Sequence, residues 1–313
     1  MHSLVVPVYG NEASIGELLE AIAGLARRLP QPLEAVFVVD GSPDRSNALL
    51  RDALPRMPFR SQLLAHSRNF GAFAAIRTGL AAARGDDVAV MAADLQEPIE
   101  LIERFYDVLA RDEADVVVGT RVARADPFFS RLASTTFWWL YRRLVLPQIP
   151  PGGVDVFACN RAFRTELLAM GEANTSLVGQ LFWLGMRRAV LPYERLERRH
   201  GRSGWSFSRK LKYLMDSVFA FSDLPVRLLI LVGGLGLGTS LLLGGVVAVA
   251  RLLGYITLPG YAMTMLTLLF FGGLNTFGLG LIGAYVWRAY ENTKQRPLAI
   301  VQRAQEFTGT PPP

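Results

Sequence analysis

The sequence predicts an α/β fold: a domain on a mostly parallel sheet, then an interfacial amphipathic helix and two membrane-spanning helices. Three observations predict it. Short apolar runs alternate with amphipathic stretches through residues 3–120, the pattern of strands joined by helices. Two long uncharged stretches, 228–250 and 252–287, are separated only by Arg251. Just before them, residues 207–221 put Phe207, Leu211, Leu214, Met215, Val218, Phe219 and Phe221 on apolar positions and Arg209, Lys210 and Lys212 elsewhere.

The elements follow in order. Residues 4–8, 35–39, 62–66, 88–93 and 115–119 are short β-branched or apolar runs and read as strands. Residues 14–29, 46–54, 72–83 and 99–111 carry helical periodicity between them. Strict alternation of this kind gives a parallel sheet with helices on both faces. Residues 126–205 are less regular, with an aromatic-rich helix at 128–141 and a Pro-Pro-Gly-Gly turn at 150–153. There is no internal repeat.

The chain of 313 residues is 51% hydrophobic, with a mean hydropathy of +0.26. A membrane span needs about 20 apolar residues. Each uncharged stretch supplies one, with a turn around Gly254, Pro259 and Gly260. Arg209, Lys210, Lys212 and Arg227 precede this hairpin and Arg288, Lys294 and Arg296 follow it, while its tip holds Arg251. The positive-inside rule makes both ends cytoplasmic, so the expected location is the inner (cytoplasmic) membrane, multi-pass, with the sheet domain cytoplasmic. The net charge of +6 then serves a membrane surface. No stacking aromatics interleave with a basic stripe, which argues against nucleic acid. The single cysteine, Cys159, excludes an internal disulfide, and three histidines (His2, His66, His200) exclude a His-rich zinc site. The first residues run straight into a strand, predicting no signal peptide. The expected division is a cytoplasmic α/β domain at 1–205, an interfacial helix at 206–226, a hairpin at 227–288 and a cytoplasmic tail at 289–313.

Chemistry concentrates at predicted strand ends. Asp94 and Gln96 follow the run 88–93, and Pro98 opens a helix. Ligands of open α/β sheets sit at the carboxyl ends of strands. An acid and an amide there suit a hard divalent cation and the phosphates it carries. Asp40-Gly41-Ser42-Pro43-Asp44 ends the second strand. Asp40 can accept from a base N–H or a ribose hydroxyl, although the segment is equally an ordinary turn. Arg68 is placed at a helix start, where backbone N–H groups and a guanidinium favour a diphosphate. Arg121 and Arg131, followed by Ser134, Thr135 and Thr136, suggest a phosphate pocket.

Taken as an ordered set over residues 3–300, these motifs resemble family-2 glycosyltransferases of the polyprenyl-phosphate type, similar to bactoprenol glucosyltransferases and dolichol-phosphate mannose synthase. Val6-Pro7-Val8-Tyr9-Gly10-Asn11-Glu12 resembles the family's Pro-x-Tyr-Asn-Glu-Glu. Val39-Asp40-Gly41-Ser42-Pro43-Asp44 resembles Asp-Asp-Gly-Ser-x-Asp. Ser67-Arg68-Asn69-Phe70-Gly71 matches completely. Ala92-Ala93-Asp94-Leu95-Gln96-Glu97-Pro98 is similar to Asp-Ala-Asp-Leu-Gln-Asp-Pro, with Ala92 replacing the first Asp. Gly119-Thr120-Arg121, Asp155 to Arg161, Tyr193 to Trp205, and Tyr290 to Pro297 resemble further family segments, with Gly204 in place of a usual Lys.

The resemblance implies a GT-A, Rossmann-like domain, a nucleotide-sugar donor (UDP- or GDP-linked), a polyprenyl phosphate acceptor and inversion. It assigns donor binding to Pro7, Tyr9, Glu12, Asp40, Ser42, Arg68, Asn69, Ala93, Asp94, Arg198 and Arg202. It assigns the acceptor phosphate to Arg121, Arg131, Ser134 and Ser203. Asp94 and Gln96 would hold Mg²⁺ or Mn²⁺, and homo-oligomers are implied as partners. Asp94 and Asp155 are the catalytic candidates, Asp155 as the family's candidate base. A phosphate whose second pKa is about 6 needs little deprotonation, so Asp155 is expected to orient sugar or acceptor. Processive synthases carry Gln-x-x-Arg-Trp, which does not occur here. Ala92, Val39, Asn11 and Gly204 leave a non-catalytic paralogue as the alternative.

Overall fold

The fold is taken from a computed structural model, which describes residues 1–121, 142–143, 147–150, 154, 156–196, 215–222, 224–254 and 260–309. Eight strands form one sheet: β1 (His2–Val8), β2 (Leu33–Val39), β3 (Arg60–His66), β4 (Asp87–Val90), β5 (Val116–Arg121), β6 (Val156–Cys159), β7 (Arg188–Tyr193) and β8 (Val301–Phe307). Their spatial order is β7-β5-β6-β4-β1-β2-β3-β8. β1 to β4 run parallel, β6 is antiparallel to both β4 and β5, and β8 is antiparallel to β3. The sheet is therefore mixed, with a parallel centre. Four helices, α1 (Ile15–Arg28), α2 (Ser46–Ala53), α3 (Ala72–Ala82) and α4 (Ile99–Ala110), connect the first five strands. α5 (Arg161–Ala169) and α6 (Leu177–Trp183) follow β6.

The period-2 alternation of β1 sends its side chains to two separate cores. Leu4, Val6 and Val8 pack with Ile15, Leu18 and Ile22 of α1 and with Leu101 and Phe105 of α4. Val5 packs on the other face with Ala75 and Leu80 of α3 and Phe163 and Leu167 of α5. A strand buried on both faces reads as a continuous apolar run, which is why β1 and β2 are so legible in the sequence. Each fully buried Leu or Phe contributes about 1.5–3 kcal/mol relative to exposure.

Three expectations change. The run 88–93 is a strand only over Asp87–Val90. Beyond it the chain turns away, since the Ala93 carbonyl accepts from the Ser14 hydroxyl (2.9 Å). The residues expected as a tail include β8, which pairs with β3 from Ser61↔Phe307 to His66↔Val301. β6 supplies an antiparallel strand not foreseen in the sequence. The helix expected at 128–141 and residues 207–214 of the amphipathic segment lie outside the described residues.

After α6 and β7 come two long helices, α7 (Leu224–Leu252) and α8 (Tyr261–Thr293). Windows Leu224–Val247 and Phe270–Thr293 are long and apolar enough to cross a membrane, with 0% and 6% of each buried within the chain. Side chains such as Leu231, Leu241, Phe270, Phe277 and Ile282 stand exposed. α8 is anchored to the sheet domain at its end. Asn292 Oδ1 accepts from Ala173 N (3.1 Å), and Arg288 Nη2 donates to Asp216 Oδ1 (2.8 Å). Arg288 also lies 4.8 Å from the Phe219 ring centre, and Phe219 meets Tyr285 edge-on at 5.0 Å. Residues 215–221 are helical. They press on α6 at Gly179, where a β-carbon would stand 2.2 Å from the Phe221 ring.

Candidate active site

The carboxyl ends of the parallel strands β1, β2, β3 and β4 share one end of the sheet, and the loops there form the candidate crevice. The chain adds β2 and β3 on one side of β1, then crosses to add β4 on the other. The β1/β4 boundary is thus the switch point at which open α/β sheets bind ligands. Tyr9 stands there with its side chain exposed, and Asp94 lies just beyond β4, half-buried.

The loops are laced to one another by polar bonds. Gly10 N donates to Ser42 Oγ (2.8 Å) and Asn11 N to Ser46 Oγ (3.2 Å). Glu12 N donates to Asp44 Oδ2 (3.0 Å), while the Glu12 carboxylate accepts from Arg45 N (3.0 Å). Asp44 also accepts from the hydroxyls of Ser42 (2.6 Å) and Ser46 (2.9 Å). Partial burial pushes the Asp44 carboxyl up, but these hydroxyl and amide donors outweigh it and hold the group below its ordinary value. Asn11 Oδ1 turns back to accept from Tyr9 N (2.9 Å). Glu12 and Ser42, expected as donor ligands, therefore join the first two loops. Pro7 is half-buried within β1, opposite Val38.

Asp40 is corrected more strongly. It is 2% exposed, and its carboxylate is spent inside the fold. Oδ1 accepts from Phe70 N (2.8 Å) and lies 2.8 Å from His66 Nδ1, and Oδ2 accepts from Gly71 N (2.7 Å). It shapes the Ser67–Gly71 loop rather than facing a base. Gly41 follows with φ +59°, and a β-carbon there would lie 2.3 Å from the Arg68 carbonyl carbon. Only glycine fits such backbone-on-backbone contact.

Arg68 and Asn69 are both exposed. Arg68 is not at a helix start, as α3 begins at Ala72. Its guanidinium lies 4.0 Å from the Phe70 ring centre, and Nη1 donates to Asn69 O (3.2 Å). Ser67 N donates to Ile300 O (3.0 Å), so the segment leading into β8 buttresses this loop.

After β4 the chain makes a tight turn. Leu95 adopts φ +53°, a left-handed conformation that costs a non-glycine residue energy and clusters at functional sites. Gln96 N points back to Asp94 Oδ1 (3.4 Å). Gln96, expected as a metal ligand, is buried, and the Arg195 guanidinium donates to its Oε1. Its backbone O accepts from Leu196 N (2.9 Å). This charged donor takes one of the two lone pairs of the amide oxygen and opposes a cation beside it. Gln96 thus ties the Asp94 turn to the segment after β7. Among the described residues, no group of three or more His, Cys, Asp or Glu side chains converges to hold a metal. A Mg²⁺ site needs only one or two carboxylates when substrate phosphates and water complete its shell, so the donor set fits through Asp94 alone.

Arg121 ends β5 opposite Tyr193 of β7, half-buried. Asp155, Arg131, Ser134, Arg198, Arg202 and Ser203 lie outside the described residues. The residues missed were Asn11, Asp44, His66 and Arg195. Asp44 had a signal in the Asp-Gly-Ser-Pro-Asp turn, and Arg195 in the segment resembling Tyr-x-Arg. Cys159 is buried, and burial pushes its thiol up to about 12, so it carries no nucleophile.

Residues 3–170 match the model of glycosyl transferase family 2. The chain belongs to this family. It is 32% identical to a glycosyltransferase of Bacillus subtilis (strain 168), YkcC, covering 97% of this chain and 94% of that protein. It is 28% identical to the bactoprenol glucosyl transferase of Shigella phage SfV, covering 97% and 99%. Glucosyl-3-phosphoglycerate synthase from Mycobacterium tuberculosis, solved with Mn²⁺, UDP and glucosyl-3-phosphoglycerate, is 17% identical with a TM-score of 0.46, covering 70% of this chain and 77% of that one. A likeness that distant carries no argument about ligand or metal.

Proposed function

We propose that this glycosyltransferase moves a sugar from a nucleotide-sugar donor to polyprenyl (undecaprenyl) monophosphate at the cytoplasmic face of the inner membrane, for cell-envelope glycans. One observation supports the reading: Asp94 follows β4 and the Arg68 loop follows β3, both at the carboxyl ends of one parallel sheet, in a chain that also holds two long apolar helices. A bactoprenol glucosyl transferase aligned over nearly its whole length supports the same acceptor.

In this reading a lipid phosphate oxygen attacks the anomeric carbon as its bond to the nucleoside diphosphate breaks. The configuration inverts, and no proton need leave an ionised phosphate. Catalysis rests on positioning and on charge placed where it develops. Arg68, Arg198 and Arg202 would meet the leaving diphosphate, and Tyr9 the nucleoside. Arg121, Arg131, Ser134 and Ser203 would hold the acceptor, and Asp155 would orient it. A bound Mg²⁺ or Mn²⁺, held by Asp94, would neutralise diphosphate charge.

The test uses the full chain in lipid nanodiscs with undecaprenyl phosphate, a divalent cation and a panel of UDP-, GDP- and CDP-sugars. A glycolipid product is expected. Absence of both transfer and nucleotide binding would end the reading. Ala92 and the occupied Gln96 oxygen favour a second one, a non-catalytic paralogue that binds nucleotide sugar or lipid phosphate. Ala92→Asp separates them: activity created from none supports the paralogue, and unchanged or lower activity supports a native variant site.

A further inference from the structure

Among the described residues, His66 is the one buried histidine at the crevice end of the sheet, and nothing in the proposed chemistry uses it. Its side chain is 0% exposed and that of its partner Asp40 is 3% exposed, so both are sealed inside the fold. What they do is geometric. Two backbone amides donate to Asp40, one to each oxygen, which suits an ionised, acceptor-only carboxylate. His66 Nδ1, 2.8 Å from the same carboxylate, must then carry the proton. Its other nitrogen, Nε2, faces Thr78 Oγ1 at 2.9 Å, on α3. The imidazole ring also meets the Phe70 ring edge-on, with centroids 5.6 Å apart. Phe70 in turn carries the Arg68 guanidinium 4.0 Å from its ring centre.

The contacts form one chain: Thr78 and Asp40 fix His66, His66 backs Phe70, and Phe70 seats Arg68. Asp40 independently pins the amides of Phe70 and Gly71. We infer that His66 is a positioning residue that sets the pose of Arg68 and the Ser67–Gly71 loop, and through them the affinity for the donor's diphosphate. The inference rests on the proposed reading for what Arg68 binds, but the loop's order is measurable without any substrate.

The experiment uses the full chain in nanodiscs and compares wild type with His66→Ala, His66→Asn and Thr78→Val. Hydrogen exchange at the Phe70 and Gly71 amides reports loop order. Titration with UDP, GDP and CDP and steady-state kinetics report the donor site. His66→Ala is expected to speed exchange of both amides. It should raise nucleotide Kd and donor KM about tenfold, as for one lost hydrogen bond to a charged group, with kcat changed much less. His66→Asn, which keeps a donor near Nδ1, should restore most of the exchange protection, and Thr78→Val should fall between. Folded variants with wild-type exchange and wild-type nucleotide affinity would overturn the inference. Should His66→Ala fail to fold, the Asn and Val variants decide it on the same readouts. A wild-type protein that binds no nucleotide would sink the proposed function. The exchange result would still decide whether His66 orders the loop.

Discussion

The crevice and the hairpin are held to the molecule in different ways. At the crevice, four loops bond to one another through Ser42, Asp44, Ser46, Asp40 and Ser14, over cores buried on both faces of the sheet. Among the described residues, the hairpin exposes most of its side chains and touches the domain through contacts around Arg288, Phe219 and Asn292. The crevice is ordered by its own bonds. The hairpin leaves most of its described side chains open, and among the described residues few tie it to the domain.

The largest expected effect sharpens this contrast at the crevice. Asp94→Ala should lower transfer by about a hundredfold or more, the scale seen when a preorganised charge is removed, with little change in melting temperature. Counting sugar in the lipid phase checks it, and retained activity would show the metal assignment to be wrong. Ending the chain after Arg296 comes next. It removes β8, exposes the β3 edge and takes away the Ile300 carbonyl that holds Ser67. The shortened protein should aggregate on size-exclusion chromatography in detergent, while the full chain runs as one species.

Gly41→Ala attacks the lacing directly, forcing a β-carbon onto the Arg68 backbone. It should cost about 1–3 kcal/mol and weaken nucleotide binding, read by thermal melts with and without UDP. Arg288→Gln tests the hairpin side. Its ion pair with Asp216 is mostly buried but reaches solvent, so the loss should be about 1 kcal/mol. Transfer to membrane-embedded acceptor should fall while nucleotide Kd stays constant; an equal loss of both would blur the distinction between the two regions.

The smallest effect is in acid. Asp44 has a carboxyl pKa held below its ordinary value in the folded state. Its stabilising contribution is therefore complete above about pH 4 and is lost as pH falls through the lowered folded value. Asp44→Asn should flatten the decline of melting temperature between about pH 5 and pH 2.

The parallel centre of the sheet was legible because doubly covered strands are apolar without interruption and their helices carry one apolar stripe each. α1 and α3 fall within a residue of expectation. β8 was hidden for the opposite reason: Val301-Gln-Arg-Ala-Gln-Glu-Phe307 is an edge strand with most residues exposed, so no burial pattern marks it. At the crevice, residue types and their order gave the placement of Asp94 and the Arg68 loop. They did not give the direction of each side chain. Gln96 turns toward Arg195, 99 positions away, and Asp40 turns toward amides 30 and 31 positions away. Such pairings depend on how distant loops meet, which no local pattern encodes.

The antiparallel β8 has a consequence for the order of synthesis. It is the last of the eight described strands to be made, yet it lies beside β3, one of the first three. Between them the ribosome must release both long apolar helices. On the proposed reading, these helices enter the bilayer before the sheet's far edge can close. The amide of Ser67 then waits for its partner, Ile300, until the hairpin is placed. The Ser67–Gly71 loop therefore gains this backbone partner only after both apolar helices have been made.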